Sequence, residues 1–207
     1  MKFTAVFLLA LALAACTQGY QNALRPEAAR TLRLTGIEVD AQNANLNWGA
    51  GARAYAESIG QPDNAQNLAP TPQAQAFMQA LAAQRIKAAF ERAFVGRMQS
   101  GTKLVRIVVN VKKIAIASAI QRVLLGGDYE MTASVNLVDG ESGEVLVPNS
   151  NLSTKMPAGN GVAGVLIDPL FGQPVDRLAA NLAKSYVKRL LPKHDDIAKR
   201  AQFQHST

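Results

Sequence analysis

Cys16 is the only cysteine in the chain, and His194 and His205 are the only histidines. A thiol without a second thiol closes no intramolecular disulfide, and a metal site needs several ligands rather than one. Both histidines lie beyond the last apolar periodic segment, so a Ser-His-Asp relay would have to draw its base from a polar tail. His194-Asp195-Asp196 offers ligand types, but adjacent residues in such a tail do not preorganise a coordination site. Residues 159–164 spell G-x-G-x-x-G as Gly-Asn-Gly-Val-Ala-Gly. A dinucleotide needs that turn between a strand and a helix of one βαβ unit, with an acidic residue about 20 positions on. Here Met156-Pro157 precedes it, the next helical pattern opens at Asp168-Pro169, and Asp176 comes early. Glu130 with Glu141 or Glu144 is the one conceivable carboxylate pair for glycoside chemistry, yet these fall on a wet strand face and in a turn. The expectation is a protein that is not an enzyme and uses no cofactor, no metal and no nucleotide.

The surroundings of Cys16 give it a different use. Met1-Lys2 is a positive start, and Phe3 to Ala15 is apolar apart from Thr4. That run is shorter than the about 20 residues a bilayer span requires and has the form of a signal-peptide core. It closes on Leu13-Ala14-Ala15-Cys16, which resembles the lipobox of bacterial lipoproteins. The resemblance implies that residues 1–15 are a removable signal peptide. It implies that Cys16 becomes the acylated first residue, with the membrane as a partner through palmitate-type N-terminal chains. Each buried methylene contributes roughly 0.8 kcal/mol, so two or more chains anchor stably. In the resembled family an aspartate after the cysteine marks inner-membrane retention. Thr17 stands there instead, which by analogy favours the periplasmic face of the outer membrane over the inner membrane. The alternative is an ordinary secretory signal with a chance cysteine.

Charge narrows the partners. The chain carries +7, or +6 once Lys2 leaves with the leader. Basic residues are spread out: Arg85, Lys87, Arg92 and Arg97 on one expected helix, Lys184, Lys188 and Arg189 on another, and Lys112-Lys113 at a strand end. No long run of like charge favours nucleic acid, which is excluded as a partner in the envelope. Solvated faces explain most of these residues, and an anionic lipid or glycan is the ligand they would suit.

The elements follow from periodicity. Residues 16–30 are polar and small and read as a tether. Leu32, Leu34, Ile37 and Val39 make a short strand, and residues 41–70 a long loop with a short helix near 51–59. Thr71-Pro72 opens a helix whose apolar residues recur at three- and four-residue steps from Met78 to Ala93, ending near Gln99-Ser100-Gly101. Residues 103–113 and 129–138 alternate as strands. A turn at Asp139–Gly143 leads to a return strand, 144–154. The final helix runs from Asp168-Pro169 to Pro192, with a polar tail over 193–207. The order β-α-β-β-β-α predicts a single α+β domain over 31–192. Its antiparallel sheet has about four strands, with two amphipathic helices on one face.

Residues 122–146 resemble envelope lipoproteins of unknown function in proteobacteria: Arg122, Gly126-Gly127, a strand, then Asp139, Ser142 and Gly143 in a turn before a return strand. The resemblance implies a structural or assembly role and supplies no catalytic residue. Two functions are therefore carried. The first is a non-enzymatic accessory or scaffold in an envelope complex or lipid-handling machine, with a protein partner. The second is a binding module for an anionic envelope ligand. Strand direction places both unusually apolar connections, 114–127 and 157–171, at one end of the sheet. Ile116, Ile120, Leu124 and Leu125 in one, with Val165, Leu166, Ile167 and Phe171 in the other, form a candidate interaction patch. Alternatively they cover an end of the core, or the first extends the hairpin. Anchoring is directly testable: clickable palmitate should label the wild-type chain and leave Cys16→Ser unlabelled, and equal labelling of both would remove Cys16 as the acylated residue.

Overall fold

Eleven segments are regular within the computed structural model, which describes residues 24–118, 127–149, 151–158 and 173–191. They are α1 (Pro26–Thr31), β1 (Leu32–Asp40), β2 (Asn45–Trp48), α2 (Gly49–Ser58), α3 (Ala65–Leu68), α4 (Pro72–Phe94), β3 (Lys103–Ile116), β4 (Asp128–Asp139), β5 (Val145–Val147), β6 (Leu152–Pro157) and α5 (Pro174–Leu190), with a 3-10 turn at Pro62–Asn64. The six strands form one sheet that is four positions wide. β1 and β2 follow one another along one edge of β3, and β5 and β6 follow one another along the outer edge of β4.

The sheet is mixed rather than antiparallel. β3 pairs antiparallel with β4 but parallel with both β1 and β2. The cause is α4, which carries the chain back across one face before β3 begins, so β3 leaves in the direction of β1. Residues 41–70 are also more regular than a loop: Asn45–Trp48 is a strand, and α2 and α3 follow. The return strand expected over 144–154 is split around Pro148, which has no N–H to give a ladder.

Two bulges explain where alternation slips. The β1 register shifts between Leu34 and Gly36, and Thr35 Oγ1 donates to the Val105 carbonyl at 3.0 Å. The β3 register shifts between Val111 and Lys113. Lys112 and Lys113 are both exposed there, and Ile114 returns to the core fully buried. The lysines therefore mark a bulge inside the strand rather than its end, and β3 continues to Ile116.

Both long helices lie on one sheet face, as their patterns require. Thr71 caps α4, its Oγ1 accepting from the Ala74 N–H at 3.3 Å. Met78, Ile86 and Phe90 from α4 and Val175, Leu178, Leu182 and Leu190 from α5 meet Val105, Ile107, Val109, Met131 and Leu137 in one core. α5 begins at Pro174 with Gln173 as cap, and the expected opening at Asp168-Pro169 lies outside the described residues. The fold also starts earlier than residue 31: the Leu24 N–H donates to the Leu190 carbonyl at 3.1 Å, and α1 occupies part of the stretch read as tether.

In the β4–β5 turn Asp139 takes hydrogen bonds at 3.0 Å from the N–H groups of both Glu141 and Ser142. Gly143 supplies the left-handed residue, at φ 75°, whereas Gly140 lies against Leu104. Bonds from those two N–H groups hold the Asp139 carboxyl near 2, below its ordinary 3.8. The folded value is the lower one, so the stabilisation is complete above the ordinary value. It is lost as pH falls through that value towards 2. Asp139→Asn should flatten the acid limb of a thermal-melt titration over that window, and an unchanged limb would contradict this.

Tyr186 is packed between Phe90 and Phe94, with ring centroids 6.1 and 6.2 Å away. Its hydroxyl is buried and finds no hydrogen-bond partner among the described residues, and burial raises its pKa. An unmet buried hydroxyl costs about 1–3 kcal/mol. Tyr186→Phe keeps the ring contacts and should raise unfolding free energy by about 1 kcal/mol; a comparable loss in denaturant titration would show that the hydroxyl is bonded.

Candidate functional site

The residues that could have done chemistry are held apart or neutralised. Glu130 and Glu141 stand at opposite ends of β4, roughly 30 Å apart by strand rise, whereas glycosidase carboxylates need about 5–9.5 Å. Glu130 accepts from Lys113 Nζ at 2.8 Å and has Lys155 Nζ at 3.8 Å. The Lys113 hydrogen bond holds its pKa below the usual range, the reverse of what a general acid requires. Among the described residues no three potential metal ligands cluster. The strand before 159–164, β6, pairs antiparallel with β4, and among the described residues no later strand closes a parallel βαβ unit. Residues 159–164, His194 and His205 lie outside the described residues.

Of the expected interaction patch, Ile116 belongs to β3. It pairs with Trp48 and packs half-buried against the core, so it is a strand residue and not part of a connection. Ile120, Leu124, Leu125, Val165, Leu166, Ile167 and Phe171 lie outside the described residues, as does Cys16. The flanks of the two connections are described and do converge. Ala158 N–H donates to the Gly127 carbonyl at 3.2 Å, and a Cβ built on Gly127 would meet Ala117 Cβ at 3.0 Å. The start of α5 is tied to the same end: Asp176 accepts from Arg85 at 2.8 Å, and Arg85 lies over Trp48 at 5.9 Å.

The basic residues divide into two groups. Arg85 is engaged with Asp176 and Trp48, Lys87 pairs with Glu91, Lys103 with Asp139, and Arg106 with Glu38. These are structural or solvated pairs, the exposed ones worth at most about 1 kcal/mol each. Arg25, Arg30, Arg33, Arg92 and Arg97 are exposed, and no ion pair among the described residues involves them.

Those five arginines gather at the end opposite the two connections, whereas Arg53, also exposed and without an ion pair among the described residues, lies on α2. There Leu24 joins Leu190, α4 and α5 both finish, and β1 and β3 both start. Gly101 makes the approach possible, since a Cβ on it would lie 2.2 Å from the Thr31 carbonyl carbon. Between α1 and the segment after α4 is an open cleft of about 580 Å³, with Arg30 and Arg97 beside Ala29, Val95, Met98 and Leu191. Val95 is 75% exposed, the most exposed large apolar side chain of the described residues. Sequence pattern missed this cluster because Arg25 and Arg30 fell within the stretch read as tether, and Arg97 was assigned to a helix that stops at Phe94. The signal was present in the short spacing of Arg25, Arg30 and Arg33, with Glu27 the one acid among them.

No helix of the described residues is long and apolar enough to cross a membrane. No protein-family model matches the chain, and no curated protein matches it. Several solved structures resemble it distantly. The PelC dodecamer of Paraburkholderia phytofirmans is 10% identical over 79% of this chain and 92% of that one, with a TM-score of 0.40. Protein XCC0632 of Xanthomonas campestris is 10% identical over 90% and 96%, with a TM-score of 0.35. Lipoprotein GNA1162 of Neisseria meningitidis is 14% identical over 69% and 96%, with a TM-score of 0.28. Similarity at this level leaves the fold to be argued from the chain's own registers and packing.

Proposed function

We propose that this chain is a lipid-anchored, periplasm-facing outer-membrane protein with a non-enzymatic accessory or scaffold role in an envelope complex or lipid-handling machine. The observation that supports the role is that the described flanks of the two apolar connections meet at the end of the sheet opposite Leu24. An acyl anchor at Cys16 would hold the Leu24 end near the bilayer. The other end would then face the aqueous compartment and a protein partner, and two apolar segments of sequence start and finish there. Contiguous apolar area in such a position serves an interface. Glu38, Glu130 and Asp139 on the sheet are each engaged by a basic side chain, which disfavours a proton-transfer role for those three.

The experiment places a charge in each connection. Ile120→Asp and Leu166→Asp should keep the wild-type melting temperature and abolish crosslinks between the anchored protein and its envelope partner. Unfolding of either variant would assign these side chains to the core and remove the interface. A second reading, a module for an anionic ligand, is favoured by one observation, the unpaired arginines around the cleft at the Leu24 end.

A further inference from the structure

The geometry points to a second working surface: the Leu24 end of the domain docks on an anionic phospholipid bilayer, with Val95 at the contact and the arginines around it facing the headgroups. This rests on the proposed acylation of Cys16. Three observations carry it.

The first is reach. Leu24 is fixed to α5 through the Leu190 carbonyl, and it lies eight positions after Cys16. Eight residues span at most about 28 Å when extended and about 15 Å as a flexible coil. An anchored chain therefore keeps this end, and not the far one, next to the headgroups. A tether so short holds the effective concentration of the surface on the order of millimolar, so a patch of weak intrinsic affinity is enough.

The second is charge. Arg25, Arg30, Arg33 and Arg97 are exposed without ion pairs among the described residues. Arg92 and Lys188 have another reason to be here, since cations in a helix's last turn offset its dipole. Arg25, Arg33 and Arg97 do not have that reason. The opposing carboxylates at this end are Glu27, Glu141 and Glu144, with Asp139 already paired to Lys103 and Glu91 to Lys87. Each arginine near an anionic surface raises binding about fivefold.

The third is the apolar tip. Val95 follows the last residue of α4 and stands 75% exposed between Arg92 and Arg97. An exposed apolar side chain on the same cleft as Arg30 and Arg97 suits an interfacial anchor, where the apolar group enters the headgroup boundary while guanidinium groups hold phosphates. In sequence Val95 lies between Phe94 and Gly96, with Arg97 one position further on.

The test uses the full acylated chain reconstituted on vesicles. With Cys16 acylated, a Val95→Cys variant carries one free thiol for an environment-sensitive fluorophore, and Asp63→Cys on the exposed turn beyond α2 reports the far end. Vesicles of phosphatidylcholine alone are compared with vesicles containing phosphatidylglycerol, each with a headgroup quencher. Docking predicts quenching at position 95 only with phosphatidylglycerol, loss of it at high salt, and no quenching at position 63. Adding Arg25→Gln, Arg30→Gln and Arg97→Gln should lower the docked-to-undocked ratio roughly a hundredfold. Flotation with both vesicle types but equal, weak quenching at position 95 would overturn docking while leaving the anchor intact. Failure to float with either vesicle would overturn the anchor itself and docking with it.

Discussion

Strand β3 is the constraint on which the rest of the molecule depends. It alone is paired parallel along one edge, to β1 and β2, and antiparallel along the other, to β4. Its helix-facing residues Val105, Ile107, Val109 and Ile114 are all but fully buried. Because side chains on a strand alternate strictly, a one-residue slip of β3 would turn that whole row to solvent and bring Arg106 and Asn110 under α4 and α5. The hydrophobic cost of such a slip fixes the register. The register in turn fixes where β1 enters, where β4 turns at Asp139, and where both helices can lie.

The same arrangement gives the molecule two unlike ends. β1 and β3 run parallel because α4 crosses between them, so the first residues of both strands sit together with the C-termini of α4 and α5. The antiparallel β3–β4 pair sends its connection to the other end, where β6 and the start of α5 also arrive. One end therefore collects the entry of the chain, a cleft and unpaired arginines. The other collects the flanks of two apolar connections. A sheet with all strands antiparallel would have mixed these features across both ends.

The candidate surfaces were legible in the sequence only in part. The pairing of the two connections at one end followed from strand direction alone, since an antiparallel pair joined by a short turn must return to its origin. The arginine cluster was not visible in this way. Its members come from the stretch before β1 and the segment after α4, and sequence spacing carries no information about which chain ends a fold brings together. Arg85, counted with the basic face of α4, proved to be partnered by Asp176 across the helix pair at 2.8 Å, a contact that depends on how α4 lies against α5.

The sequence by itself determined the local choices, because each rests on neighbours a few positions away. Thr71-Pro72 starts a helix, the apolar stripe of α5 selects one face, and the alternation of β3 and β4 gives strands with a turn at Asp139–Gly143. It also held the two phase slips, Leu34 to Ile37 and Val111 to Ile114, although their meaning as bulges needs a partner strand to define the register. Only the tertiary structure decided that β1 lies parallel to β3 and that Asn45–Trp48 extends the edge. Residues 24–30, too, join the domain by meeting the end of α5 and the segment after α4. Those outcomes are set by which backbone groups find partners across long sequence separations, and no local pattern of residue types encodes that.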